Sequence, residues 1–248
     1  MKKGRTVMAA ADLILGLLLL FMLTGKTEQN EGKAWQAAQA ETGPVEKVLA
    51  VDGDAGSVTE TGGEKKMVAL TFDDGPHPTY TPKLLDGLAE RNVKATFFIT
   101  GENAEKYPEL VKRMSEEGHL IGNHTYSHIQ LTKGNAETFR AELVKTNEII
   151  KGITGKEVVY VRPPYGSWDK RFETELNMFP VLWTIDPLDW CSNDAACVQK
   201  RVISKAKENA IILMHDSYPS TVMAALAIVD ELQKDGYTFV TVEDILFD

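Results

Sequence analysis

From residue 66 onward the chain alternates short apolar runs with amphipathic stretches, and this alternation restricts the fold more than any other feature. Strands are expected at MVALTF (67–72), KATFFI (94–99), HLIGN (119–123), VVYVR (158–162), VLWTI (181–185), AIILM (210–214) and YTFVTV (237–242). Between them the pattern predicts helices over 81–91, with Pro82 in the first turn, and over 107–117, 136–151, 194–208 and 221–234; in the third, Phe139, Leu143 and Ile150 share one side. Strands that alternate with helices imply a parallel sheet covered by helices, open or closed into a barrel. Seven strands fit one irregular (β/α)7-type barrel of the α/β class, occupying residues 66–248 as a single domain. A chain of 248 residues is long enough for one such domain with a sizeable core.

Residues 1–25 differ sharply from the rest. MKKGRTVMAAADLILGLLLLFMLTG begins with Lys2, Lys3 and Arg5 and continues into an apolar run of roughly 18 residues, broken only by Asp12, about the length that crosses a bilayer. This reads as an export segment. An uncleaved membrane anchor fits better than a removed signal peptide, because the only A-x-A-like site, Ala38-Gln39-Ala40, lies far beyond the apolar run. No cysteine follows Leu23-Thr24-Gly25, which disfavours a lipid anchor there. Residues 26–65 are polar, rich in Gly, Thr and Glu, and lack sustained periodicity, as expected of a flexible linker with an end-to-end distance on the order of 35 Å. The expected product is an extracytoplasmic monomer held at the cell membrane by its N-terminal helix, or secreted if that segment is cleaved.

The formal net charge of -9 argues against nucleic acid, whose phosphates demand clustered Lys and Arg. It also argues against long-range attraction to anionic wall polymers, so such a substrate would be held by local contacts in a groove. Cys191 and Cys197 are the only cysteines. Outside the membrane a disulfide between them is permitted, two free thiols are equally compatible, and the spacing does not decide.

The residues that carry chemistry cluster at the ends of the expected strands. Asp73-Asp74 follow the first, His124 and His128 the third, Arg162 ends the fourth, Asp186 and Asp189 follow the fifth and His215 the sixth. In parallel α/β architectures those ends share one rim, where sites are built. His124 and His128, four apart, would on a helical turn project from one face and reach a single cation. One carboxylate of Asp73-Asp74 would complete a three-ligand set that leaves open positions, suited to a divalent transition metal, with Zn2+ first and Co2+ or another divalent ion as alternatives. The other carboxylate would remain free to accept a proton.

Arg162 precedes the rigid Pro163-Pro164 pair, and its planar guanidinium can grip a carboxylate such as Asp73 in a fixed orientation. Backbone N–H groups near Tyr165 and Gly166 could donate to an oxyanion. His215 can act as a general acid if a carboxylate holds its other ring nitrogen, and Asp189 is available for that, with Trp190 and Leu213 supplying apolar walls for a substrate.

With TFDDGP, the H-x3-H of NHTYSH, RPPYG, DPLDW and the L-x-H of LMH in this order, residues 67–247 resemble the polysaccharide deacetylases, the carbohydrate esterase family four with its NodB-homology domain. The resemblance implies a distorted (β/α) barrel as the catalytic domain and metal-dependent removal of acetyl from N-acetylated amino sugars, a hydrolysis of linear amides. It implies Asp73 as general base, Asp74, His124 and His128 as metal ligands, Arg162 as the residue that positions the base, the Tyr165 backbone as an oxyanion donor, and His215 as the acid tuned by Asp189. Cys191-Ser192-Asn193 departs from the family, which often carries a longer polar or basic residue after the tryptophan.

Exported, membrane-tethered chains meet peptidoglycan first, so N-acetylglucosamine in the wall is the expected substrate, with chitooligosaccharide, poly-N-acetylglucosamine and acetylxylan as alternatives. Two readings from other classes compete. A glycosidase would pair carboxylates among Asp73, Asp186 and Asp189 but has no need of His124 and His128. A non-catalytic wall-binding module would bind without turnover.

Overall fold

The computed structural model describes residues 66–247. The expected anchor (1–25) and linker (26–65) lie outside the described residues, among which no helix is long and apolar enough to cross a membrane. The order of elements is β1 (Lys66–Asp73), α1 (Tyr80–Glu90), β2 (Thr96–Ile99), α2 (Gly101–Lys106), α3 (Pro108–Glu116), β3 (Leu120–Asn123), α4 (Ala136–Thr154), β4 (Tyr160–Val161), α5 (Arg171–Leu176), β5 (Phe179–Pro180), α6 (Ala195–Ile203), β6 (Ala210–His215), α7 (Pro219–Lys234), β7 (Tyr237–Val240) and α8 (Val242–Phe247). All strand pairs are parallel, in the order β5-β4-β3-β2-β1-β6, with β7 also paired to β1.

The period of two in the strands sorts side chains to two faces. Val68, Leu70 and Phe72 of β1 and Ala210, Ile212 and Met214 of β6 join the large core against the helices. Ala69 and Ile211 point the other way, into a smaller interior cluster with Phe98, Tyr160, Val181 and Val242. A fully buried Phe, Leu or Ile contributes about 1.5–3 kcal/mol. Most such groups lie on the helix side, so the fold rests mainly on that layer and its concave face is free to hold polar groups. Thr71, Asp73, Leu213 and His215 continue the inward series, and the register sets Thr71 beside Leu213 and Asp73 beside His215.

The expected strand at 181–185 is corrected: β5 is Phe179–Pro180, and only Ile185 forms an isolated parallel bridge, to Ile212. The segment changes partner along its length. Val181 N–H donates to Val161 O (2.8 Å), whereas Ile185 N–H donates to Ile211 O (3.1 Å) and Ile185 O accepts from Leu213 N–H (2.9 Å). It thus links the β4 side of the curled sheet to β6 and cannot sustain a ladder with either. The Arg162 guanidinium also takes the carbonyls of Val181 and Leu182, at 3.0 and 3.3 Å.

Helix boundaries follow caps and burial. The expected helix at 194–208 ends at Ile203, because Val198 and Val202 are its buried residues and the following polar run has no apolar face. Asp194 caps it by accepting from the N–H groups of Ala196 and Cys197. The helix expected to begin at 221 starts two residues earlier, with Pro219 in its first turn. The helix at 136 runs on to Thr154, where Gly155 ends it in the left-handed conformation (φ 71°).

Candidate active site

The concave rim at the strand C-termini gathers the expected residues. Asp73, the last residue of β1, is buried, and Arg162, just past β4, has no exposed surface. Arg162 Nη1 donates to Asp73 Oδ1 at 2.8 Å and to Thr71 Oγ1 at 2.6 Å, and the guanidinium carbon lies 4.2 Å from the centroid of the Phe98 ring. Burial pushes the guanidinium below its ordinary value and Asp73 opposes this. The ion pair fixes one carboxylate oxygen. The other, Oδ2, lies 3.8 Å from His124 Nε2 and so faces the neighbouring cluster.

That cluster is Asp74, His124 and His128. His124 Nε2 and His128 Nε2 are each 3.4 Å from Asp74 Oδ1, and the three donor atoms all lie within 4.8 Å of one another. Asp74 Oδ1 is buried without a hydrogen-bond partner. His124 Nδ1 is 2.6 Å from Arg162 O. A carbonyl can only accept, so Nδ1 carries the proton and Nε2 presents its lone pair to the cluster. Burial works to raise the Asp74 carboxyl, but the imidazoles of His124, His215 and His128 hold it down to about 2. His128 is pushed below its ordinary value by burial and then by His124, which favours the neutral form that a metal requires.

These residues fit a divalent cation. Tetrahedral bonds of about 2.0–2.1 Å separate their donors by about 3.3–3.4 Å, the spacing seen between Asp74 Oδ1 and each histidine. Two nitrogens and one oxygen also suit a transition metal better than a hard cation, and three protein ligands leave a position open.

The helical turn expected for His124 and His128 is corrected. Both lie in the loop after β3, where Thr125 (φ 60°) and His128 (φ 59°) are left-handed. Such conformations in non-glycine residues cost about 1–3 kcal/mol each and persist where surrounding contacts over-determine them. Asp74 itself is left-handed (φ 71°), which turns it away from the strand while Asp73 stays in it. Behind this turn, a Cβ on Gly75 would lie 2.5 Å from both carboxylate oxygens of buried Asp216, whose Oδ2 accepts from Thr81 Oγ1.

On the β6 side, His215 Nδ1 is 2.9 Å from Asp189 Oδ1. Asp189 Oδ2 accepts from the His215 backbone N–H and from Thr221 Oγ1, both at 2.8 Å, so the carboxylate is held from three directions. Burial disfavours the imidazolium, but the hydrogen bond and charge of Asp189, aided by Asp73 and Asp74, push His215 up to about 9. His215 is therefore protonated below that value and loses its proton as pH rises through it. Replacing Asp189 with Asn removes the anion that raises it. We expect Asp189→Asn to move the His215 titration down by about 1–3 pH units, measured from the imidazole NMR shifts against pH.

The remaining expected residues divide. Tyr165 (φ 58°, 61% exposed) makes a T-shaped contact with the His128 ring, the centroids 5.1 Å apart. Gly166 N–H donates to Pro163 O at 2.9 Å, so of the two amides expected to serve an oxyanion, that of Tyr165 is the one left for it. Trp190 stands half exposed on the rim, whereas Leu213 is buried one layer below Asp73 and His215 and forms floor rather than wall. Asp186 is not among the three metal-donor residues: its Oδ1 accepts from Leu188 N–H at 2.8 Å, and burial pushes its carboxyl up, with Asp189 adding to this and His215 opposing it. Cys191 and Cys197 are free thiols, not a disulfide. Sequence reasoning missed Thr71, Thr221 and Asp216; the signal for Thr71 was its place two residues before Asp73 on the same strand face.

A curled parallel sheet with a His-His-Asp cluster beside a buried Asp-Arg pair and a His-Asp pair defines the class of metal-dependent hydrolases built on strand ends. The chain belongs to the polysaccharide deacetylase family, whose model matches residues 60–181. It is 43% identical to a peptidoglycan-N-acetylglucosamine deacetylase of Bacillus cereus over 184 residues, covering 71% of this chain and 67% of the relative. It is 39% identical to the peptidoglycan-N-acetylglucosamine deacetylase PgdA of Listeria monocytogenes, covering 73% of this chain but only 39% of that longer protein. The solved structure of peptidoglycan deacetylase PdaC from Bacillus subtilis superposes with a TM-score of 0.71 at 37% identity, covering 74% of this chain and 91% of that one.

Proposed function

We propose that this chain is a metal-dependent N-deacetylase that hydrolyses the acetamide of N-acetylglucosamine in peptidoglycan, with Zn2+ as its ion. The reading is carried by the gathering of the Asp74, His124 and His128 donors beside the Asp73–Arg162 pair, with His215, held by Asp189, the register neighbour of Asp73. An acetamide is a poor electrophile and its amine a poor leaving group, so hydrolysis needs both an activated water and a proton delivered to nitrogen. A dication held by Asp74, His124 and His128 would supply Lewis acidity for the acetyl carbonyl and lower the pKa of water towards 7. Asp73 Oδ2, facing the cluster while Oδ1 is fixed by Arg162, takes the proton from the attacking water. The Tyr165 N–H donates to the developing oxyanion. His215, with Nδ1 bound to Asp189, donates from Nε2 to the departing amine.

The peptidoglycan assignment is supported by the substrates named for the relatives in Bacillus and Listeria and by the export-type sequence of residues 1–25, which would tether a monomeric domain beside the wall through residues 26–65. The test is acetate release from peptidoglycan, chitooligosaccharides and acetylxylan, with and without chelator, alongside new reducing ends. Chelator-sensitive acetate from peptidoglycan supports the reading. Chelator-insensitive chain cleavage would transfer it to a glycosidase, and binding without acetate to a wall-binding module.

A further inference from the structure

We propose that Glu142 is a positioning residue that holds the loop carrying both histidine ligands in its metal-ready shape; the inference rests on reading Asp74, His124 and His128 as a dication site. Residues 124–128 contain two left-handed residues that are not glycine, so their conformation must be imposed from outside. The start of the loop is tied to the sheet, with His124 N–H on Ile99 O at 3.0 Å and Thr125 N–H on Asn123 Oδ1 at 2.7 Å. The carbonyls of Thr125 and Tyr126 accept from the first amides of α2, Gly101 and Glu102, both at 3.0 Å.

The consecutive amides of Tyr126 and Ser127 remain, and both donate to Glu142 Oε2, at 3.1 and 3.0 Å. Ser127 Oγ donates to Oε1 at 2.7 Å. One carboxylate thus gathers three donors from the two residues immediately before His128, and charge makes each bond stronger than a neutral one. Glu142 hydrogen-bonds none of the three ligand side chains, so its effect on the site runs through the backbone. It is also rigidly mounted. Phe139 and Leu143 of the same helix are buried in a shared cluster, and Asn123, next to His124, donates to Leu143 O at 2.9 Å and to Asn147 Oδ1 at 2.7 Å. Helix α4 is thus tied to the strand end by Asn123 and to the Tyr126 ring by Lys145 Nζ, 3.2 Å from its centroid, whereas the loop amides that precede His128 are held to it by the Glu142 carboxylate.

The reach and the acceptor count of Glu142 matter, so three substitutions separate positioning from general folding. Glu142→Ala removes the acceptor, Glu142→Asp keeps the charge but shortens the reach, and Glu142→Gln keeps an oxygen that can accept both amides while its NH2 donates to Ser127 Oγ. In purified full-length protein, Zn2+ dissociation constants from competition with a chromophoric chelator should rise about 10–100-fold for Ala and Asp and stay within about threefold for Gln, which loses only the charge assistance. The visible spectrum of the Co2+-loaded Ala and Asp variants should change with the loosened ligand geometry, and that of Gln should match wild type. Folded Ala or Asp variants with wild-type Zn2+ affinity and Co2+ spectrum overturn the inference. If Ala does not fold, Asp decides. Failure of wild-type protein to bind Zn2+ would overturn the dication reading itself, an outcome distinct from wild-type binding that is indifferent to Glu142.

Discussion

Asp73→Asn should eliminate most turnover and also destabilise the fold by about 3–5 kcal/mol, because it leaves a buried guanidinium without its anion. Arg162 has no exposed surface, and its other partners, Thr71 Oγ1 and the carbonyls of Val181 and Leu182, are neutral. The same change removes the proposed proton acceptor beside the metal-ligand cluster, so activity should fall by about 10²–10⁴. A second variant separates the two effects. Replacing the pair together, Asp73→Leu with Arg162→Met, should recover much of the lost stability, since apolar substitutes for a buried ion pair are often neutral, yet recover no acetate release. Urea unfolding and an acetate assay on both proteins check this. A fully stable Asp73→Asn would show that the ion pair does not hold the barrel interior as described.

His215→Ala should reduce kcat by about 10²–10⁴ while the protein still binds its metal. His215 is outside the ligand set and its Nδ1 is committed to Asp189, so the role we propose for it rests on the proton carried on Nε2. The defect should depend on the leaving group. An acetyl ester or an activated anilide departs without full protonation, so His215→Ala should lose far less on such substrates than on an acetamide of an amino sugar. An equal loss on both, or loss of metal with the imidazole, would contradict the assignment of His215 as the acid.

Much of this arrangement was legible because the chemistry follows strand ends. A period of two in β1 and β6 places Asp73 and His215 on the same inward face, and the apolar runs that mark those strands are long and unambiguous. What was not legible depends on backbone conformations that residue types do not announce. A β-branched residue such as Thr125 is not one from which a left-handed φ would be inferred, so the four-residue spacing of the histidines suggested a helical turn where the chain forms a loop. The misplaced fifth strand has a tertiary cause. Segment 181–185 reads as β-forming, but it passes from β4 to β6 and surrenders carbonyls to Arg162, a partner fixed only once the sheet has curled. Helices α2, α5 and α8 each span six residues, too few for a helical period to emerge from the sequence.

A functional dication among Asp74, His124 and His128 can be probed by adding Zn2+ stepwise to metal-free protein while following acetate release from peptidoglycan. Activity should rise to a plateau at about one ion per chain, chelator should abolish it, and Asp74→Ala should neither bind the ion nor gain activity. Acetate release from metal-free protein at an undiminished rate, or an Asp74→Ala variant that binds and responds to Zn2+ like wild type, would contradict it.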